Sequence, residues 1–329
     1  MHLRTCRVAG MGAYLPSRVV TNAELARTFD TTDAWIVERS GIRERRFAAQ
    51  GEGSAAMGAE ASRRAVADAG WALADVQFVV FATVSPDHFF PGSGCYMQAI
   101  LGVPGIGVLD VRNQCGGFIY ALSVANAFIV SGQYDRVLVV GSEAQSHITA
   151  GGPRDTAVLF GDGAAAVALE ASDGPDRVTS VLHADGRGAS ALKIDLFDCA
   201  RQPYACAEDI LEGRHMLEMD GRRVFIRAVH GMLEAAHETL RLAHKTLDDV
   251  DLVIPHQANL RISETLQSRL GLPGHKVFNN IETRGNTTAA SIPLAMVEAR
   301  DGGVLRRNHL LLLLAFGAGF TWGGALLRY

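Results

Sequence analysis

The chain has 329 residues, 48% of them hydrophobic and 20% charged, enough for two domains or one large one with a sizeable core. The apolar content excludes disorder, and the 35 glycines follow no collagen period. A formal charge of −4 gives no reason to expect a nucleic-acid partner, and the basic clusters Arg43, Arg45, Arg46 and Arg306, Arg307 read as solvated surface. The opening MHLRTCRVAG lacks the apolar stretch of a secretory signal. The longest apolar run, Leu310 to Phe320, is too short for a bilayer, which takes about 20 residues, and reads as a buried strand entering a glycine loop. Five cysteines with no CxxC pair suit a reducing compartment, so a soluble cytoplasmic enzyme with no membrane partner is expected.

Taken in chain order, the elements form a repeat. Gly10-Met11-Gly12 hints at a dinucleotide loop, but Leu15 stands where the third glycine belongs and Pro16 breaks the helix that should follow. Ala55, Gly58, Ala59, Ser62, Ala65 and Val66 recur at helical spacing over about 55–69, with Arg63, Arg64 and Asp68 toward water. Then come Ala74-Asp75-Val76, a strand from Phe78 to Phe81, Leu101-Gly102-Val103-Pro104-Gly105 and a strand from Gly107 to Val111. A polar turn ends at Cys115, an apolar helix covers 117–130, and a strand runs from Arg136 to Val140. Gly161-Asp162-Gly163 predicts a hairpin turn before a strand from Ala165 to Leu169. Ser172-Asp173-Gly174-Pro175 breaks structure, which draws the halves at 1–173 and 174–329. Residues 187–221 show no clear period and read as a lid or pocket wall.

The first order of parts then returns. Asp248-Asp249-Val250, a strand from Leu252 to Ile254 and Leu270-Gly271-Leu272-Pro273-Gly274 lead to a strand from Lys276 to Asn279. A polar turn ends at Asn286, and a helix, Gly302-Gly303 and a strand from Leu310 to Ala315 follow. Val253 stands 174 residues after Val79, and Asn286 stands 171 after Cys115. That period is too long for a solenoid. It predicts an α/β fold of two related, layered halves whose mainly parallel sheets are covered on both faces.

Cys115 and Asn286 occupy corresponding places, each after a strand and before a buried helix. A helix N-terminus favours thiolate, so Cys115 is a candidate nucleophile, with Gly116-Gly117 letting a substrate carbonyl approach backbone donors. The bland alternative is a small buried hydrophobe. His256 follows the strand in Pro255-His256-Gln257-Ala258-Asn259 and is placed to face a site, although a satisfied loop histidine fits its position equally well. Asn286 alone reads more readily as a helix cap than as a catalyst. There is no HExxH, no paired Cys/His spacing and no GxxxxGK[ST] loop, so neither a metal nor a nucleotide cofactor is expected.

Together with the Cys115 turn, five stretches closely resemble β-ketoacyl-acyl-carrier-protein synthase III. They are Asp33 to Arg46 (DAWIVERSGIRERR), Leu159 to Ala164 (LFGDGA), Pro255 to Asn259 (PHQAN), Gly285 to Ser291 (GNTTAAS) and Phe316 to Gly323 (FGAGFTWG). The resemblance covers essentially the whole chain and implies the thiolase-like fold. It further implies that Cys115 takes an acyl group from acyl-CoA, and that His256 and Asn286 stabilise the enolate formed as malonyl-acyl carrier protein loses CO₂. On the same resemblance, the backbone N–H groups of Cys115 and Ala318 form the oxyanion hole. Trp35 and Arg39 bracket the adenine of CoA, and Arg154 meets its nucleotide end. Arg261 and Arg269 dock the carrier protein, Phe316 orients the catalytic groups, and Phe90 closes the partner's acyl pocket across a homodimer.

Three features depart from the family pattern: Arg112-Asn113-Gln114 before the cysteine, Ala318 within the glycine run, and a long 187–221 segment. They bear on the acyl group, leaving two readings: priming from acetyl-CoA, or a paralogue using a longer or unusual acyl thioester, including an acyltransferase of the same fold. A degradative thiolase would need a second cysteine where Gly317-Ala318-Gly319 stands. A non-catalytic subunit would be expected to have lost the cysteine or histidine.

Overall fold

The computed structural model of the chain describes residues 4–174 and 177–329, so Pro175, part of the expected break, lies outside the described residues. The strands run in chain order as β1 (Thr5–Tyr14), β2 (Arg18–Thr21), β3 (Glu44–Phe47), β4 (Phe78–Ala82), β5 (Gly107–Val111), β6 (Arg136–Glu143) and β7 (Gly163–Ser172). They continue with β8 (Thr179–Ala184), β9 (Leu192–Lys193), β10 (Glu218–Met219), β11 (Leu252–Pro255), β12 (Leu310–Gly317) and β13 (Thr321–Arg328). Of four sheets among the described residues, the two large ones have the orders β5-β4-β6-β7-β1 and β11-β12-β13-β8, and β2-β3 and β9-β10 form two-stranded pairs.

The two sheets repeat one topology. In the first, β4 is parallel to β5 and β6, while β7 is antiparallel to β6 and β1. In the second, β11 is parallel to β12, and β13 is antiparallel to β12 and β8. The place of β5 is filled there by one parallel bridge between Val253 and Val277. The strand expected from Lys276 to Asn279 is therefore reduced to that bridge beyond a 3₁₀ turn at Gly274–Lys276. Both sheets are mixed rather than mainly parallel, because each closes on an antiparallel pair that periodicity alone does not distinguish.

The expected hairpin at Gly161-Asp162-Gly163 is also absent. β6 reaches β7 through two short helices, Gln145–Thr149 and Arg154–Ala157. Asp162 is buried, where its carboxylate accepts the backbone N–H of Ala48 at 2.7 Å and of Ser146 at 2.8 Å. A buried carboxylate with its own donors holds a connection together; it is not a solvated turn.

Strand sequences explain the layering. Along β12, Leu311, Leu313 and Ala315 join one apolar cluster, and the alternate Leu310, Leu312, Leu314 and Phe316 join another. On β4, Val80 and Ala82 face the first cluster, while Val79 and Phe81 face a third. Uninterrupted apolar strands are thus buried on both faces. The helices Gly117–Val130 and Ser291–Asp301 supply Ile119, Leu122, Ile292 and Met296 to the shared cluster between the sheets. The helix Ser54–Asp68 covers the outer face of the first sheet, and Gly221–Leu242 with Leu260–Leu270 covers that of the second.

Close approach on the outer face depends on the glycines of the GMG stretch. A Cβ at Gly12 would stand 2.4 Å from the Ala65 nitrogen, and one at Gly10 2.4 Å from the Ala69 nitrogen. The motif discounted as a dinucleotide loop therefore seats a small-residue helix against β1.

Candidate active site

The site lies where the two central helices begin. Gln114–Gly116 form a 3₁₀ turn after β5, and the helix starts at Gly117. Gln114 has φ 46°, the left-handed region, which throws the chain sharply from strand into helix. Gly317, the last residue of β12, meets that turn: a Cβ there would stand 3.0 Å from the Cys115 nitrogen and 3.1 Å from the Gly116 nitrogen. Any larger residue would crowd those N–H groups. Gly116 by contrast has ordinary room, its nearest Cβ contact being Thr321 Oγ1 at 3.4 Å.

The electrostatics of Cys115 correct one expectation. Burial, helped by the charge of Glu143, pushes its thiol up to about 12, against a small opposing contribution from its own backbone N–H. Desolvation outweighs the helix dipole, so the sulfur rests as thiol rather than thiolate.

His256 follows β11, its N–H donating to the Leu314 carbonyl at 2.7 Å, which locks it beside β12. The imidazole is buried, and burial lowers its pKa to about 3, so it is neutral at physiological pH. Its Nδ1 lies 2.6 Å from the Ser291 hydroxyl, which also accepts the Gln257 backbone N–H at 3.4 Å. In the tautomer that leaves Nδ1 as an acceptor, the hydroxyl gives its proton to Nδ1. The ring proton then sits on Nε2, which is buried with no protein partner. A neutral imidazole with a free Nε2–H is a hydrogen-bond donor aimed into the site.

Asn286 is fixed by the other half of the chain. Its N–H donates to the Leu159 carbonyl at 2.8 Å, and its carbonyl accepts the Gly161 N–H at 3.1 Å, forming a bridge to Phe160. The side-chain Oδ1 accepts the Thr288 N–H at 2.9 Å, which leaves the NH₂ end of the amide turned the other way. The three positions converge through shared neighbours. Gly317 joins β12 to Cys115, and Leu314 joins β12 to His256. A Cβ on Gly117 would stand 3.4 Å from the Ala289 Cβ, three residues after Asn286.

The remaining candidates lie around this centre. Phe316 is buried at the end of β12, its ring 5.0 Å from that of Phe320. Ala318 follows, its carbonyl accepting the Thr321 hydroxyl at 3.2 Å. The guanidiniums of Arg39 and Arg154 both lie over the Trp35 ring, at 4.3 and 4.4 Å from its centroid. Asn259 joins this group to the histidine loop by donating to the Arg39 carbonyl at 2.8 Å. Arg261 and Arg269 are exposed on the helix Leu260–Leu270.

Phe90 is 79% exposed, its ring edge-on to Phe89, which packs on Phe197 and Tyr204. The 187–221 segment thus contributes two rings to an aromatic cluster and is not featureless: it holds β9, β10 and a short helix at Ala207–Leu211. Sequence reasoning missed the roles of Ser291 and Gly317, which lie inside quoted motifs, and of Glu143, which ends the strand Arg136–Glu143 away from all of them. It also missed a cleft of about 540 Å³ beside Phe320, lined by Arg187, Arg222, Arg223 and Arg227 with Asp185 and Asp220.

Two like-ordered sheets with buried helices between them define a thiolase-like acyltransferase. The chain belongs to the β-ketoacyl-[acyl-carrier-protein] synthase III family. It matches the family described as 3-oxoacyl-[acyl-carrier-protein (ACP)] synthase III over residues 109–192, and the C-terminal portion of that family over 240–329. A relative from Laribacter hongkongensis, named beta-ketoacyl-[acyl-carrier-protein] synthase III, is 43% identical over 98% of this chain and 99% of its own. The crystal structure of 3-oxoacyl-[acyl-carrier-protein] synthase III from Aquifex aeolicus superposes with a TM-score of 0.91 at 39% identity, over 98% of this chain and 100% of that one. The priming β-ketosynthase of the R1128 polyketide pathway gives 0.90 at 36% identity, over 99% and 96%.

Proposed function

We propose that the chain condenses an acyl-CoA with malonyl-acyl carrier protein by way of a thioester on Cys115. The sulfur attacks the acyl carbonyl, and CoA leaves as a thiol carrying the proton that Cys115 gives up. The backbone N–H groups of Cys115 and Ala318 hold the oxyanion, which is why a glycine stands at position 317. Malonyl thioester then loses CO₂, and the electron pair of the broken bond passes into an enolate. His256 Nε2–H and the Asn286 amide donate to its oxygen. The enolate carbon attacks the Cys115 acyl group, the new C–C bond forms as the C–S bond breaks, the released Cys115 thiolate takes a proton from solvent, and β-ketoacyl-acyl carrier protein departs.

The observation that carries this reading is the buried Nε2 of His256, which has no partner among the described residues and, in the tautomer given above, carries the proton of a neutral ring. An enolate oxygen is the acceptor it lacks, and burial makes such a donor worth more than in water.

In the same reading, residues 1–173 form the half that carries Cys115, and 174–329 the half that carries His256 and Asn286. Trp35, Arg39 and Arg154 take the nucleotide of CoA, Arg261 and Arg269 take the carrier protein, and Phe316 holds the catalytic groups in place. No metal or other cofactor takes part. The enzyme works as a cytoplasmic homodimer free of the membrane. Unpaired cysteines support the compartment. As a second reading, the likeness to a priming ketosynthase of a polyketide pathway supports chain initiation in such a pathway rather than in fatty-acid synthesis.

Intact mass after incubation with a panel of acyl-CoAs tests both points. Wild type gains the acyl mass and Cys115→Ala does not; an undiminished adduct in that variant would remove Cys115 from the mechanism. His256→Ala and Asn286→Ala should load acyl but release CO₂ from malonyl thioester at least about 100-fold more slowly. Wild-type CO₂ release in both variants would overturn their role.

A further inference from the structure

Glu143 ends β6 with no solvent exposure, and among the described residues no Lys, Arg or His forms an ion pair with it. Its carboxylate is held instead by donors. The backbone N–H groups of Val84, Ser85 and Ala289 reach it at 3.2, 3.1 and 3.3 Å. The Thr83 and Ser85 hydroxyls reach it at 3.1 and 2.5 Å. The Ser85 oxygen is itself anchored by the Ala144 N–H at 2.8 Å.

A lone buried carboxylate is costly unless its surroundings require it. Here the donors come from two sources: the 83–85 turn after β4, and the turn that carries Asn286. Ala289 lies between Asn286, whose Oδ1 holds the Thr288 N–H, and Ser291, whose hydroxyl holds His256. The same Ala289 packs against Gly117, two residues from Cys115.

We propose that Glu143 is a positioning residue for the condensation, clamping the Asn286–Ser291 turn against the Cys115 turn through the Ala289 N–H. The proposal rests on the roles given above to Cys115 and Asn286. A carboxylate suits this place because it can accept from several donors at once, whereas glutamine has a single acceptor oxygen and an NH₂ that would face N–H groups. Burial raises the Glu143 pKa against the pull of these donors, and its ionised form acts on the neighbouring sulfur, where it adds to burial in keeping the thiol protonated. His256, the other titratable group at the site, is neutral through the working range.

Glu143→Gln and Glu143→Asp, each checked for folding by circular dichroism, separate positioning from simple structural support. In Glu143→Gln, CO₂ release from malonyl thioester should fall at least 10-fold, with acyl loading reduced much less. The pH profile of Cys115 alkylation by iodoacetamide should move to lower pH, because the charge opposing thiolate is gone. Glu143→Asp keeps the charge and shortens the reach, so CO₂ release should fall while the alkylation profile stays at its wild-type position.

An unmoved alkylation profile together with wild-type CO₂ release in Glu143→Gln would overturn the proposal. If that variant fails to fold, wild-type CO₂ release in Glu143→Asp overturns it. Alkylation needs no substrate, so a wild type that neither loads nor decarboxylates would sink the functional reading separately.

Discussion

The proton on His256 decides what the imidazole can do, and the Ser291 hydroxyl, as donor to Nδ1, places that proton on Nε2 in the proposed mechanism. Replacing Ser291 with Ala removes the donor to Nδ1, so the Nε2–H tautomer loses its preference. One buried hydrogen bond is worth about 1–1.5 kcal/mol, so CO₂ release should slow by about 10-fold while acyl loading holds. The ¹⁵N shifts of the ring should change toward a mixture of tautomers; unchanged shifts would dismiss the assignment. The lowered pKa of His256 also has a consequence for stability. Its folded value of about 3 lies below the unfolded value near 6.5, so between them the unfolded chain binds more protons. Acidification through that window should therefore cost stability, by at most about 1.4 kcal/mol per pH unit from this group. Urea midpoints from pH 7 to pH 4 should fall less steeply in His256→Gln. The histidine was legible from its place after a strand. Ser291 was not, because 35 residues separate it from His256 and only the packing of the helix Ser291–Asp301 brings the two together.

Elements were most legible where a pattern had one physical meaning. The small-residue periodicity over about 55–69 became the helix Ser54–Asp68, and the apolar stretch over 117–130 became the helix Gly117–Val130. The misreadings share a cause: short segments whose conformation depends on neighbours far along the chain. Asp-Gly suits a hairpin turn in isolation, yet Asp162 is claimed by Ala48 and Ser146. Val277 has the composition of a strand but pairs at a single bridge, because a 3₁₀ turn ends just before it. Gly12 shows the same dependence and gives a test. In Gly12→Ala the new methyl meets the Ala65 nitrogen at 2.4 Å and the Ala61 carbonyl oxygen at 2.5 Å, both backbone atoms that cannot rotate aside. Such overpacking should cost about 1–3 kcal/mol, read as a lower urea midpoint at unchanged slope. Gly186→Ala, where nothing lies within 4 Å, is the matched control and should shift the midpoint far less. Equal shifts would mean that β1 and the helix do not depend on that close approach.

At the scale of the molecule, the offsets of 171 and 174 residues were the sequence trace of two sheets with one topology. What the offsets could not reveal is which surfaces a second copy would cover in the proposed homodimer, since burial between copies leaves no period within a chain. The exposed surface supports one choice. Phe89, Phe90, Phe197 and Tyr204 form one exposed aromatic cluster. Leu109 is exposed on β5, the edge strand of the first sheet, which among the described residues pairs with β4 alone. A monomer leaving a strand edge and a ring cluster in water invites association, and a partner that covers them removes both liabilities. Light scattering coupled to size exclusion should therefore give twice the 35.2 kDa chain mass at micromolar concentration. Phe90→Asp places a charge at the most exposed of these rings and should shift the population toward monomer. If Phe90 also closes the partner's acyl pocket, the same variant should raise the KM for acyl-CoA even at concentrations where dimer persists. A monomeric wild type with full activity would refute the homodimer, and an unshifted Phe90→Asp dimer would move the interface to another face.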